Sequence, residues 1–284
     1  MNQNLVREKR IAAQSLTARN SSNRVEWKPK EAGDYTIRML PYIHDLDWPI
    51  TTVWQHFNIS TTPFVSLSTF GKADPIREYG DTIRANAAGS TDKNMYKIAN
   101  MCDPTVRFYA PILVRGKEDE GVKFWNMSSK DHDKILAIFG VLEYGDITDL
   151  KDGRDLKVTH IKPVKEGEYA QNMILALPDR TPATTEQAVA ELIVKMPTVQ
   201  SILTEPTMDE MTLLLRKFSE NGGKKVDLKA PTLTAPSNVV NAGPAIVQQP
   251  VNGIAVQQST TVPAASAAPA GGDVNATFAQ YFKK

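Results

Sequence analysis

A single cysteine, Cys102, stands in 284 residues, so neither a disulfide framework nor a four-cysteine metal site is open to this chain. Neither sign of charge is in excess: 33 Lys and Arg stand against 32 Asp and Glu, a net charge of +1. Any polyanionic partner must therefore be met by local clusters of cations, not by bulk attraction. No apolar run approaches the roughly 20 residues of a membrane span, and the opening MNQNLVREKRIAAQS lacks the apolar core of a secretory leader. These absences predict a soluble, cytoplasmic protein with one large core that needs no covalent staple. There is no G-x-x-x-x-G-K-[ST] loop, no H-E-x-x-H and no nucleophile elbow. Asp131-His132-Asp133, and His44 with Asp45 and Asp47, invite a metal-nuclease reading. The first group is explained as helix-start carboxylates, because residues i and i+2 diverge on a helix. A protein that is not an enzyme is expected.

What is present centres on Thr105 to Gly140. From Val106 to Val114 the even positions Val106, Phe108, Ala110, Ile112 and Val114 are apolar, while the odd ones include Arg107, Tyr109 and Arg115. After a charged turn, Val122 and Phe124 are placed on one face and Lys123, Trp125 and Met127 on the other. Ser128 or Ser129 then caps a helix that stops at Gly140. A hairpin turning Arg, Tyr, Lys and Trp outward fits single-stranded nucleic acid, with cations along phosphates and aromatic faces under bases. A solvated strand face carrying chance aromatics is the alternative.

Around this hairpin the chain divides by composition. Residues 1–24 form a basic arm containing Arg7, Lys9, Arg10 and Arg19, read either as a phosphate or neighbour contact or as a solvated terminus. Residues 25–223 carry strand patterns at Tyr35 to Pro41, Pro49 to Ile59, Leu156 to Pro163 and Tyr169 to Leu177, with an irregular insertion over 60–100 that holds one helix from Pro75. Residues 184–223 turn helical, each of two helices opened by a capping box, Thr184 with Gln187 and Thr207 with Glu210. Residues 224–272 read as a disordered linker, without one charge from Ala230 to Gly272, and 273–284 as a tethered docking peptide presenting Phe278, Tyr281 and Phe282. A helix folding back on its own domain is the other reading of that end. The fold class expected is α+β, mainly β: a small OB-fold-like barrel with an inserted subdomain, C-terminal helices and disordered tails.

Taken in order, Glu26-Trp27-Lys28, Ile37-Arg38 with Leu40-Pro41, His56-Phe57, Phe108-Tyr109-Ala110, Gly121 to Trp125, Asp133-Lys134-Ile135, Leu156-Lys157-Val158, Tyr169 and Leu215 to Phe218 resemble the single-stranded DNA-binding, helix-destabilising proteins of T-even type tailed bacteriophages. The resemblance implies a protein that coats single strands cooperatively in DNA replication, recombination and repair, in the cytoplasm of an infected bacterial host. It implies DNA contact from Tyr79, Tyr96, Phe108, Tyr109, Trp125 and Tyr169, with Arg38 and Arg107 near phosphates; Arg115 and Lys123 join them from the hairpin pattern. The alternation argument places Phe108 on the core face instead, so the two readings differ there.

Three departures qualify the resemblance. The family's zinc subdomain uses one histidine and three cysteines, and only His56 remains, with Ser66, Asp74 and Arg77 at the cysteine places. A metal-free insertion without cofactor is expected. The family's compact basic self-association cluster becomes Arg7-Glu8-Lys9-Arg10 and Ser15 to Arg19. Its acidic partner-recruiting tail becomes uncharged, so a polymerase, a helicase or its loader, or a primase would be met through Phe278, Tyr281 and Phe282. The competing class is a phage structural or assembly protein with a β domain and a tethered docking end.

Overall fold

The computed structural model describes residues 25–88, 93–165, 167–227 and 274–281. Eight strands form one sheet: β1 (Glu26–Trp27), β2 (Gly33–Met39), β3 (Thr51–His56), β4 (Phe64–Val65), β5 (Thr105–Val114), β6 (Lys123–Met127), β7 (Gly153–Ile161) and β8 (Gln171–Thr181). Its path runs β1-β6-β5-β2-β7-β8, with β3 added to the exposed part of β5 and β4 to β3. Seven helices complete the described chain: α1 (Pro75–Asn86), α2 (Lys93–Met101), α3 (Ser129–Phe139), α4 (Gln187–Val194), α5 (Val199–Ile202), α6 (Met208–Glu220) and α7 (Val274–Tyr281). None is long and apolar enough to cross a membrane.

The expected closed barrel is corrected: no pairing joins β6 to β8, and the sheet stays open. Helix α3 lies at that opening, held by Lys134 Nζ on the Asn172 carbonyl, so side-chain packing fills the gap that a ladder would have closed. Ser128 caps α3 by accepting from the Asp131 amide at 3.2 Å, as its sequence position predicts.

Both faces of the sheet are covered. One core joins Ile37, Met39, Ala110, Ile112, Trp125, Leu156, Val158 and Ile174 to Ile135 and Ile138 of α3. The second, on the opposite face, joins Leu40, Val53, Tyr109, Leu113 and Phe124 to Val189, Ala190 and Ile193 of α4. Strand β5 therefore reads as buried from Tyr109 to Val114, and period 2 separates two cores there instead of core from solvent.

A third core organises the insertion: Ile59, Phe64, Leu67, Ile76 and Cys102 pack with Met211, Leu214, Phe218 and Val226. Several of the expectations for these regions change. The segment 60–100 is not irregular, since it carries α2 as well as α1. The two C-terminal helices also part company, α4 going to the sheet and α6 to the insertion. Thr207 caps α6 through the Glu210 amide as expected, but α4 begins at Gln187 after Glu186, and Thr184 Oγ1 instead accepts from the Glu186 amide at 3.0 Å. The linker expected from 224 is corrected over its first residues: Val226 is buried and bridges Ser60, its amide reaching the Ile59 carbonyl at 3.0 Å.

At the far end, Phe278 is 3 % exposed and belongs to the core beneath α4, while Gln187 Nε2 donates to Thr277 Oγ1 at 2.8 Å. Phe278 is thus corrected from a free docking residue to part of the protein's own core, because α4 leaves an apolar face that its ring covers. Tyr281 ends the helix, Phe282 lies outside the described residues, and so do Arg7, Lys9, Arg10 and Arg19.

Candidate nucleic-acid interface

A cleft of about 290 Å³ opens over the sheet face that carries Arg107, Tyr109 and Asn126. Residues directly opposite in an antiparallel pair share a face. Tyr109 pairs with Asn126 and Thr51, and Arg107 with Val53, so these side chains are set on one surface by register. Glu26 and Lys28 bound the cleft from the β1 side, Phe57 and Thr62 to Val65 from the β3–β4 side, Leu203, Thr204 and Pro206 from the connection between α5 and α6, and Glu210 from α6.

The floor is a saturated polar network. Asn126 Nδ2 donates to Glu26 Oε1 at 2.9 Å and to the Tyr109 hydroxyl at 2.8 Å, and Gln55 Nε2 donates to the same hydroxyl at 3.0 Å. The hydroxyl donates onward to Glu26 Oε2 at 3.3 Å. Its two acceptor positions and one proton are all engaged, which fixes the ring. Burial, with the Glu26 charge beside it, pushes the phenol above its ordinary range, so Tyr109 stays neutral.

Arg107 crosses this floor. Its Nε donates to Asn126 Oδ1 at 2.7 Å and one terminal nitrogen to the Asn126 carbonyl at 3.2 Å, and the guanidinium lies 5.9 Å from the Phe57 ring centre. No carboxylate is in ion-pair contact with it among the described residues, whereas Arg38, Arg84, Arg115 and Arg180 each hold one. Burial pulls its pKa down from the usual arginine value, the sign of a desolvated cation without full compensation.

The other expected contacts separate into groups. Trp125 is corrected: it is 0 % exposed in the core opposite the cleft. It pairs with Ala110, so it shares the face of the even positions, and it meets Trp27 edge-on at 5.7 Å. Phe108 is on that same core face, as alternation predicts, stacked on His132 at 3.7 Å and 4°. Arg38 is fully buried, its Nε on Asp155 at 2.8 Å and Nη1 on the Thr181 carbonyl at 2.8 Å. Arg115 shares Asp155, and Lys123 pairs with Glu120 at 3.2 Å. Tyr79 is in the insertion core with its hydroxyl 3.2 Å from Ser219 Oγ, and Tyr96 donates to the Ala87 carbonyl at 2.9 Å. Tyr169 is 89 % exposed on the β7–β8 turn and outside the cleft lining. Of the expected set, the cleft brings together Arg107 and Tyr109. Sequence reasoning did not select Glu26, Lys28, Gln55, Phe57 or Asn126, although Glu26, Lys28 and Phe57 lie within the quoted resemblance.

Because Trp125 packs rather than projects, Trp125→Ala is expected to destabilise the fold by about 3–5 kcal/mol in urea unfolding. A variant that unfolds like wild type yet binds oligonucleotide weakly would contradict this placement.

The places of the missing metal ligands are filled in a different way. His56 Nε2 lies 2.9 Å from Asp74 Oδ2, Ser66 Oγ donates to the same oxygen, and Asp74 Oδ1 caps α1 by accepting from Ile76 at 3.0 Å and Arg77 at 3.2 Å. Burial alone would raise the Asp74 carboxyl, but the bonds from His56, Ser66 and the Arg77 amide outweigh it and bring it down to about 2. Burial pushes the Cys102 thiol up to about 12, which makes it a poor ligand. One imidazole, a hydroxyl and a carboxylate already bonded to each other, beside an arginine, do not fit structural zinc, which takes four Cys or His donors. No group of three or more His, Cys, Asp or Glu among the described residues is arranged to hold a metal ion.

The sequence model of the gp32 DNA binding protein like family matches residues 31–220. The chain belongs to this family. The match takes in β2 to β8, the insertion and the whole of α6, and leaves out β1 with Glu26 and Lys28 of the cleft. No curated protein matches the chain.

Proposed function

We propose that the protein binds single-stranded DNA by laying the strand across this cleft, with Arg107 taking a phosphate. The observation that carries this reading is the unpaired guanidinium of Arg107, which is partly desolvated, oriented by Asn126 and lacks the carboxylate that each of the four arginines named above possesses. A desolvated cation gains most from an anion that arrives with its own charge. Lys28 adds a second cation on the β1 side, and Phe57 offers an aromatic face beside Arg107. The connectivity supports an OB-type use of the sheet: β2, β5, β6, α3, β7 and β8 follow the strand-helix order of that architecture, and the cleft lies on the outer face of its second and third strands.

Coating of single strands in replication, recombination and repair belongs to the same reading, with Arg7, Lys9, Arg10 and Arg19 reaching a neighbouring copy. Recruitment of replication proteins through the C-terminal end would first require α7 to leave α4, since Phe278 is buried there. The insertion, in this reading, is held without metal.

The test is fluorescence anisotropy of a labelled oligothymidine, compared with a duplex of equal length and without divalent metal. Preference for the single strand and a steep fall of affinity with salt are expected, because each neutralised phosphate releases counterions. Equal affinity for duplex, or binding indifferent to salt, would overturn the proposal. DNA-independent self-association would then favour the assembly role.

A further inference from the structure

We infer that Lys224 and Lys225 extend the phosphate path beyond the cleft, on its β4 side; this rests on the proposed function. The strands that floor and bound the cleft lie side by side in the order β4, β3, β5, β6, β1. Four intervals at the usual strand spacing give a crossing of roughly 19 Å. Cations occupy the near end, where Lys28 lines the cleft, and the middle, where Arg107 lies. At the far end the lining residues Thr62 to Val65 carry none.

The chain leaving α6 supplies them. Gly222 and Gly223 both turn through positive φ, 62° and 77°, and send the backbone back along residues 59–61. Gly223 has a second reason to lack a side chain, since a Cβ there would sit 2.8 Å from Ile98 Cγ1. The returning segment is then clamped on both sides of Val226: its amide donates to the Ile59 carbonyl at 3.0 Å, and its carbonyl accepts from Thr61 at 3.0 Å. Val226 is buried in the insertion core and anchors the segment there. Both lysines are exposed, and neither is in carboxylate contact among the described residues. Their backbone is thus fixed next to the loop that leads directly into Thr62 and Pro63, the cleft wall. Two left-handed residues and two hydrogen bonds hold a pair of unpaired cations where a strand emerging from the cleft would pass.

The experiment is the salt dependence of oligothymidine affinity for the full-length protein, wild type against Lys224→Ala/Lys225→Ala. On single strands each lost phosphate contact lowers the slope of log K against log salt by about 0.7, so the double variant should lose about 1.4 and bind on the order of tenfold more weakly at low salt. Lys224→Arg/Lys225→Arg should restore the slope, which a merely structural role for the lysine stems would not require. Wild-type binding with an unchanged slope in the alanine variant overturns this inference alone. Wild-type protein that does not bind single strands overturns it together with the proposed function.

Discussion

Arg107→Ala is expected to weaken oligothymidine binding by about 10- to 100-fold at low salt, the range of a charge-assisted hydrogen bond of roughly 1.5–3 kcal/mol. The salt slope should fall by about 0.7, the share of one phosphate on a single strand. Stability should change little, because the residue's partners are amide groups of Asn126 at the cleft floor, and that side chain keeps its bonds to Glu26 and Tyr109. Arg107→Lys separates charge from geometry. A lysine retains the charge but cannot hold the Asn126 side chain and carbonyl together in a fixed fork, so an intermediate affinity with a nearly intact salt slope is expected. An alanine variant with wild-type affinity and slope would remove Arg107 from the path and leave the cleft without its central cation.

Asp74→Asn should destabilise the protein by on the order of 2 kcal/mol in urea unfolding at neutral pH, because a neutral amide cannot replace the carboxylate oxygen shared by His56 and Ser66. Asparagine is as good an N-cap as aspartate, so the loss reports the contacts with His56 and Ser66 and not the start of α1. The pH dependence has a definite sign. The Asp74 carboxyl is held at about 2 in the fold against 3.8 outside it. Its contribution, on the order of 2 kcal/mol, is present above the unfolded value and is lost as pH falls through the folded one. Wild type and Asp74→Asn should therefore converge in stability between roughly pH 4 and pH 2. Chelator should leave the melting temperature of the wild type unchanged. A chelator-sensitive melt, or a neutral Asp74→Asn, would mean that the insertion is held by something other than this cluster.

These expectations show what kinds of information a sequence carries. Caps were legible because they act within a few residues: Ser128 and Thr207 each accept from the amide three positions on. The second helix of the insertion was missed because Lys93–Met101 carries Asn, Tyr and Lys in a mixed pattern, and its helicity rests on Ile98 and Met101 packing against the third core. Thr184 formed a local bond with Glu186 in place of a cap, a competition between two short-range options that the sequence leaves balanced.

The sequence by itself determined the periodic elements, the central hairpin, the single cysteine and the presence of Arg107 and Tyr109 on one strand face. Tertiary structure decided which face was which. Strand register is a relation between two segments, and pairing Ala110 with Trp125 sent that ring into a core while pairing Tyr109 with Asn126 built the cleft floor. Helix α4 then buried the rest of a face that alternation alone assigns to solvent, and the same arrangement withdrew Arg38 and Arg115 onto Asp155. Arg107 kept its unpaired charge because no carboxylate reached it among the described residues, a fact fixed by distance in space and not by distance along the chain.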